Sequence, residues 1–272
     1  MSVLIDKRDA QGAVAGAPGA GTRSGWRYVG RRIWQMLRTV RRGTLGWRRP
    51  LAERAPPWAR RTFGPTAVYL DMLIIDHGIV RLAYLNRHRL DEKAWRSAQP
   101  APHQIGALAR QGLRTVINLR GQRLCGSYWL ERAACERQGI AMVDFQIHSR
   151  SAPSRVCLRA AFELFDRIEY PVLMHCKSGA DRAGLMSALY CLKMGMTVAE
   201  AQKQLALRYG HLRQSDTGIL DRFLETYLAH NLQRPTPFIE WVDTVYDPEE
   251  LKRSFRAGSL ASRFVDRVLK RE

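Results

Sequence analysis

From about residue 66 onward, short apolar or β-branched runs alternate with segments of helical period, and this alternation restricts the fold more than any other feature. Residues 114–119 (RTVINL), 140–147 and 171–175 (PVLMH) read as strands. Between them lie helical patterns at 103–111, closed by Gly112, at 128–138, closed by Gly139, and at 154–168. The last carries Cys157, Leu158, Ala161, Phe162 and Phe165 on one side. A further short strand is expected at 95–99, before a turn flanked by Pro100 and Pro102, and a buried helix over 66–86. Helices at 182–194, 198–209 and 216–230 follow, with Thr197 and Glu200 spaced as a capping box. Strand–helix alternation requires crossover connections, so the expected class is α/β: a central, mainly parallel sheet flanked by helices.

The charge is uneven along the chain. There are 44 Lys and Arg against 25 Asp and Glu, a net +19. Residues 1–65 hold 14 of the cations and only 3 of the acids. Within them, 10–25 is rich in Ala and Gly, and 26–42 (WRYVGRRIWQMLRTVRR) sets Val29, Ile33, Met36, Leu37 and Val40 at helical spacing among arginines. That is the pattern of a basic amphipathic helix. Pro50, Pro56, Pro57 and Pro65 break its continuation. Three parts are therefore expected: a basic arm at 1–65, a packed domain at 66–230 and a helical extension at 231–272.

A membrane span needs about 20 mostly apolar residues. The apolar segment 66–84 is interrupted by Asp71, Asp76 and Arg81, so no span is expected, and no export leader is read at the start. The five cysteines form no CxxC pair and, with seven histidines, show no zinc-ligand spacing. A cytoplasmic protein with reduced thiols is the expectation, with no metal and no cofactor.

The chemistry concentrates in residues 172–184, VLMHCKSGADRAG. A buried strand ends at His175, Cys176 follows, and Arg182 stands where a helix begins. A loop of this length wraps its backbone N–H groups around one phosphate, and the helix N-terminus adds donors and a positive dipole end. Arg182 offers a planar fork for two phosphoryl oxygens. Donors that hold an anion also favour the thiolate form of Cys176 beneath it. Gly179 lets the backbone turn and come close to the ligand. Lys177, Ser178, Gly179, Ala180, Asp181 and Arg182 are the expected phosphate-binding residues.

HCKSGADR at 175–182 resembles the phosphate loop, His-Cys-x5-Arg, of the cysteine-dependent protein tyrosine and dual-specificity phosphatases. WRSAQP at 95–100 and TVINLRG at 115–121 resemble the opening strands of their compact branch with small bacterial, fungal and plant domains. The resemblance spans about 66–230. It implies hydrolysis of phosphomonoesters through a phosphocysteine on Cys176, without metal. It also implies an aspartate acid for the leaving group. Two residues fit: Asp181 inside the loop, where some lipid-directed relatives carry an aspartate, and Asp144, 32 residues before Cys176. The family often has Ser or Thr after the loop arginine to help the thiolate leave; here it is Ala183, and Ser178 is the nearest substitute. His211 reads either as a residue orienting the attacking water or as a cap of the preceding helix. Arg120, Arg123 and Arg150 stand where further anionic groups of a substrate would lie.

The expected partner is a phosphorylated substrate, whether protein, lipid or inositol phosphate. The lipid reading draws on Lys177, on Asp181 and on residues 26–49 as a dock for an anionic membrane surface, peripheral on its inner face. Two rivals are a catalytically weak phosphate-binding module, suggested by Ala183, and a nucleic-acid binder, suggested by the net charge. Intact Cys176 and Arg182 oppose the first. Concentration of the charge in the arm opposes the second, and no nucleic acid is expected.

Overall fold

The computed structural model describes residues 66–256 apart from 67, 77–80, 83 and 124; the expected amphipathic arm lies outside the described residues. Five strands form one mixed, mostly parallel sheet: β1 (His88–Arg89), β2 (Ala94–Ala98), β3 (Thr115–Asn118), β4 (Ala141–Asp144) and β5 (Val172–Cys176). Their order is β1-β2-β5-β3-β4, with only β1 antiparallel to its neighbour. This is the α/β architecture read from the alternation.

Alternation across the pleat divides the core in two. Val116 and Leu173 face one side, with α1 (Pro102–Ala109) and α2 (Gly126–Arg137), around Ile105, Leu108 and Cys135. Ile117 and Met174 face the other, against α3 (Arg155–Arg167) and α4 (Asp181–Lys193). β5 is buried at every residue, as a central parallel strand covered on both faces must be. α4 is buried throughout 183–191, which explains its apolar sequence on all sides.

α5 (Val198–Gln202), 5 residues long, is less than half the length expected over 198–209. Its capping box is present: Thr197 Oγ1 accepts from the Glu200 N–H at 3.2 Å, and Glu200 Oε2 accepts from the Thr197 N–H at 2.8 Å. The chain then leaves the helix and forms only a 3-10 turn at Leu207–Tyr209. The segment expected as one helix over 66–86 is also broken: a π-helical turn covers Asp71–Ile75, and residues 84–87 are irregular before β1. α6 (Ile219–Gln233) and α7 (Phe238–Thr244) join the layer, and a further helical segment runs over 248–256. Phe238, Trp241, Tyr246 and Leu251 belong to the same core cluster as Phe223 and Tyr227 of α6, so the packing does not stop at residue 230. Among the described residues no helix is long and apolar enough to cross a membrane.

Candidate active site

β5 delivers Cys176 to the carboxyl edge of the sheet, where ligands bind in α/β folds. Residues 177–180 loop over, and α4 starts at Asp181. Cys176 is 2 % exposed. The segment expected to bind phosphate, 177–182, is thus brought around the cysteine.

The loop's orientation is fixed from behind. Asn86 Nδ2 donates to the carbonyl of Ser178 at 2.9 Å. Arg96 Nη2 donates to the carbonyls of Gly179 at 2.7 Å and Ala180 at 3.0 Å. In a planar trans peptide the carbonyl and the following N–H point oppositely. Three carbonyls held outward therefore turn the N–H groups of Gly179, Ala180 and Asp181 inward. None of the backbone N–H groups of residues 178–182 is hydrogen-bonded to another described residue, which leaves these donors open to a ligand. Gly179 adopts φ +76°, and a Cβ there would stand 2.7 Å from the backbone of Ser97 and Ala98. Glycine is required here on both counts.

Arg182 is half-buried, and its Nη1 donates to the Leu119 carbonyl at the end of β3 at 3.4 Å. Lys177 turns away: its Nζ lies 3.4 Å from Asp76 Oδ1. Asp76 also accepts from Arg120, Arg81 and Ser127. Burial opposes ionisation of Asp76, but the hydrogen bond and charge of Arg120, then Arg81 and Ser127, hold its carboxyl far below the usual range. Arg120 is itself 3 % exposed and committed to Asp76 and Gln99, so it does not reach for substrate. Arg150 is exposed, and Arg123 donates from Nε to the Arg120 carbonyl at 3.3 Å.

Behind Cys176, His175 is wholly buried with its Nε2 2.6 Å from Glu131 Oε1. The two atoms are off the line of a directed hydrogen bond, so the contact is one of proximity. Glu131 Oε2 accepts from Gln99 at 2.6 Å, linking His175 to the Asp76 cluster.

The two acid candidates are placed differently. Asp144 ends β4, in register with Asn118 of β3 and through it with His175. Two strand spacings, about 10 Å, separate it from the β5 backbone. Both its oxygens are engaged, by Asn118 Nδ2 at 2.8 Å and by the Tyr128 hydroxyl at 2.7 Å. Asp181 stands in the loop with its side chain 28 % exposed, and its Oδ1 meets His211 Nδ1 at 2.7 Å. His211 Nε2 meets Asp221 Oδ2, also at 2.7 Å. Burial alone would push His211 down; hydrogen bonds to Asp181 and Asp221 outweigh it and raise it to about 9. The His211 side chain thus ties the loop to α6.

Sequence reasoning missed Asn86 and Arg96. Asn86 carries φ 50°, a left-handed conformation that asparagine tolerates, and Arg96 lies in the WRSAQP segment read only as a strand. Ala183 is fully buried, so no hydroxyl stands at that position, and Ser178 is exposed. Among the described residues no group of His, Cys, Asp and Glu is arranged to hold a metal ion.

The dual specificity protein phosphatase TpbA of Pseudomonas aeruginosa is 28 % identical over 107 residues, 39 % of this chain and 46 % of that protein. The chain thus matches less than half the length of that curated relative. The crystal structure of P. aeruginosa TpbA aligns with a TM-score of 0.44 at 22 % identity, over 54 % of this chain and 92 % of that one. The core catalytic domain of the PP-IP phosphatase SIW14 from S. cerevisiae, in complex with citrate, aligns at 0.42 and 16 % identity over 55 % and 94 %. The family described as DSP-PTPase phosphatase fused to NAD+ kinase matches residues 82–221, a span that begins before β1 and runs through the phosphate loop to Asp221. That span is just over half of the chain, and the chain belongs to this family.

Proposed function

We propose that this protein hydrolyses phosphomonoesters through a phosphocysteine on Cys176. The observation that carries the reading is the loop at 176–182: a nucleophile at the end of a buried strand, inward N–H donors and an arginine fork. In the first step the Cys176 thiolate attacks phosphorus and the bond to the leaving oxygen breaks. Arg182 and the N–H groups of 178–182 hold the three equatorial oxygens, whose charge they match. Asp181 supplies the proton to the leaving oxygen; it is on the loop rim, and its Oδ2 has no partner among the described residues, whereas Asp144 has both oxygens engaged. In the second step water attacks phosphorus, Asp181 takes its proton, the S–P bond breaks and phosphate leaves.

A phosphoprotein is the substrate class this reading favours, on two grounds. The curated relative is called a dual specificity protein phosphatase. Lys177, the loop cation that a second phosphate would need, is turned to Asp76. Phosphate release from phosphopeptides, inositol phosphates and phospholipids, measured in the presence of a chelator, tests both activity and class. Cys176→Ser is expected to lower release by on the order of 10⁴-fold or more, as loss of a nucleophile does. Activity that survives this change, or that needs added metal, refutes the mechanism. Docking of residues 26–49 on anionic membranes belongs to the same reading: the segment pairs Trp26 and Trp34 with an arginine-ringed apolar stripe.

A further inference from the structure

Arg96 enters the core from the middle of β2, and none of its surface is exposed. In the β2–β5 register it pairs with Met174, two residues before the position where Ala98 pairs with Cys176. Its long side chain thus runs beneath the phosphate loop. Besides the carbonyls of Gly179 and Ala180, it donates from Nη1 to the carbonyl of Gln204 at 2.5 Å and to Gln204 Oε1 at 3.1 Å. Its guanidinium lies 3.9 Å over the Tyr209 ring.

Every one of these acceptors is neutral. Among the described residues no carboxylate pairs with Arg96, in contrast to Arg81 and Arg120, which share Asp76. Taking an ion out of water costs several kcal/mol unless an opposite charge offsets it. Burial, opposed by Tyr209 and Cys176, accordingly pulls Arg96 down to about 10. Of the acidic groups acting on it, the Cys191 thiol is pushed up to about 11 by burial. Cys176 is the one that the mechanism requires as an anion.

We propose that Arg96 is the buried counter-charge of the anion held at the phosphate loop, first the Cys176 thiolate and then the phosphoryl group, acting as a positioning residue through the carbonyls it grips. The inference rests on the phosphatase reading, and it accounts for a buried cation that has no carboxylate partner. The other charged or titratable groups around Cys176 and Arg96 are His175, Lys177 and Arg182 on the nucleophile's own segment, Glu131 beside His175, Asp181 with His211 at the rim, Cys191 on α4, His88 opposite Arg96 on β1, and Arg208 and Tyr209 behind. None of them is altered in the test.

The test compares Arg96→Gln, which keeps amide donors without charge, and Arg96→Lys, which keeps charge without the fork. In the full chain, alkylation of Cys176 by iodoacetamide is followed across pH by mass spectrometry, with and without inorganic phosphate as protectant. For Arg96→Gln the alkylation midpoint is expected to move up by about one pH unit or more, the effect of removing a nearby opposite charge. The phosphate concentration giving half-protection is expected to rise by about tenfold or more. Arg96→Lys is expected to keep the midpoint near wild type. A folded Arg96→Gln that alkylates like wild type, or two variants that shift alike, overturns the proposal. Where Arg96→Gln shows no cooperative melt, Arg96→Lys decides alone: an upward shift as large as that expected for loss of charge overturns the proposal, and a wild-type midpoint supports it. Absence of phosphate release from the wild-type chain would refute the phosphatase reading separately, while the alkylation profiles still judge Arg96.

Discussion

At the scale of single residues, Asp181 and Asp144 separate by what each is already doing. Asp181→Asn is expected to slow alkyl phosphates by about 10²-fold or more while aryl phosphates with good leaving groups lose much less, because only the former need a strong proton donor. Asp144→Asn is expected to change both rates by only a few-fold but to cost about 1–2 kcal/mol in urea unfolding, since it disturbs the bonds from Asn118 and Tyr128. Equal losses on both substrate classes for Asp181→Asn would make that residue a positioning group. His211 carries a pH signature. Its folded value is raised to about 9 against about 6.5 unfolded, so its contribution is fully present below pH 6.5 and lost as pH rises through 9. The stability gap between wild type and His211→Asn is expected to be about 3 kcal/mol near pH 6 and to shrink steadily to pH 9.5. A gap independent of pH would show that His211 is not held as an imidazolium. The roles proposed for Cys176 and Arg182 could be read from the sequence because they depend on a fixed local spacing. Asn86 and Arg96 were not, because each meets the loop across 83 to 92 residues of chain and acts through backbone oxygens, which leave no mark on residue type.

At the scale of elements, the phosphate loop is a strand–helix junction whose backbone must pass close beneath β2. Gly179→Ala places a methyl 2.7 Å from backbone atoms at φ +76°, and those atoms cannot swing aside. The cost is expected to be about 2 kcal/mol or more, combining left-handed strain and overpacking. Half-protection by inorganic phosphate should weaken with it, whereas Gly195→Ala, also at positive φ but with open space around the added methyl, should cost only the strain. Equal effects at both sites would show that the loop does not depend on this close approach. The strands were legible as short continuous apolar, β-branched runs, buried on both faces, and most helices by a period of 3.6. The exceptions have tertiary causes. The helical pattern over 198–209 ends at Gln202 because the carbonyls of Gln204 and Tyr209 are taken by Arg96 and Asn86. Gly184 of α4 also approaches that turn so closely that an added Cβ would stand 2.8 Å from the Gln204 carbonyl. The pattern over 66–86 breaks where Asp76 gathers Arg81, Arg120 and Lys177, pairings that no local periodicity records. β1, two residues long, is too short to carry a pattern.

At the scale of the whole molecule, the charge and the chemistry are segregated. Residues 66–272 carry 30 cations and 22 acids, and many of the buried ones are mutually paired around Asp76 and His211. The remaining 14 cations lie in 1–65, ahead of the packed domain, and the proposed membrane contact rests on them. Each basic residue near an anionic surface contributes roughly 1 kcal/mol, and the apolar stripe with Trp26 and Trp34 adds buried area. A single anchor of this kind is reversible and screened by salt. The full chain is therefore expected to sediment with vesicles containing phosphatidylserine at low salt, to release at high salt, and to leave vesicles of phosphatidylcholine alone largely unbound. Changing Arg31, Arg32, Arg38, Arg41 and Arg42 together to Gln is expected to weaken vesicle binding by at least about tenfold, well within the sum of five such contributions. The same variant should release phosphate from a soluble phosphopeptide at the wild-type rate, since the phosphate loop and its supports all lie between residues 76 and 221. Vesicle binding that survives the five changes, or its absence in the wild-type chain, would remove the arm as an anchor. The lipid-phosphate reading would then lose its main physical support, because Lys177 is turned from the loop and Arg120 is buried against Asp76.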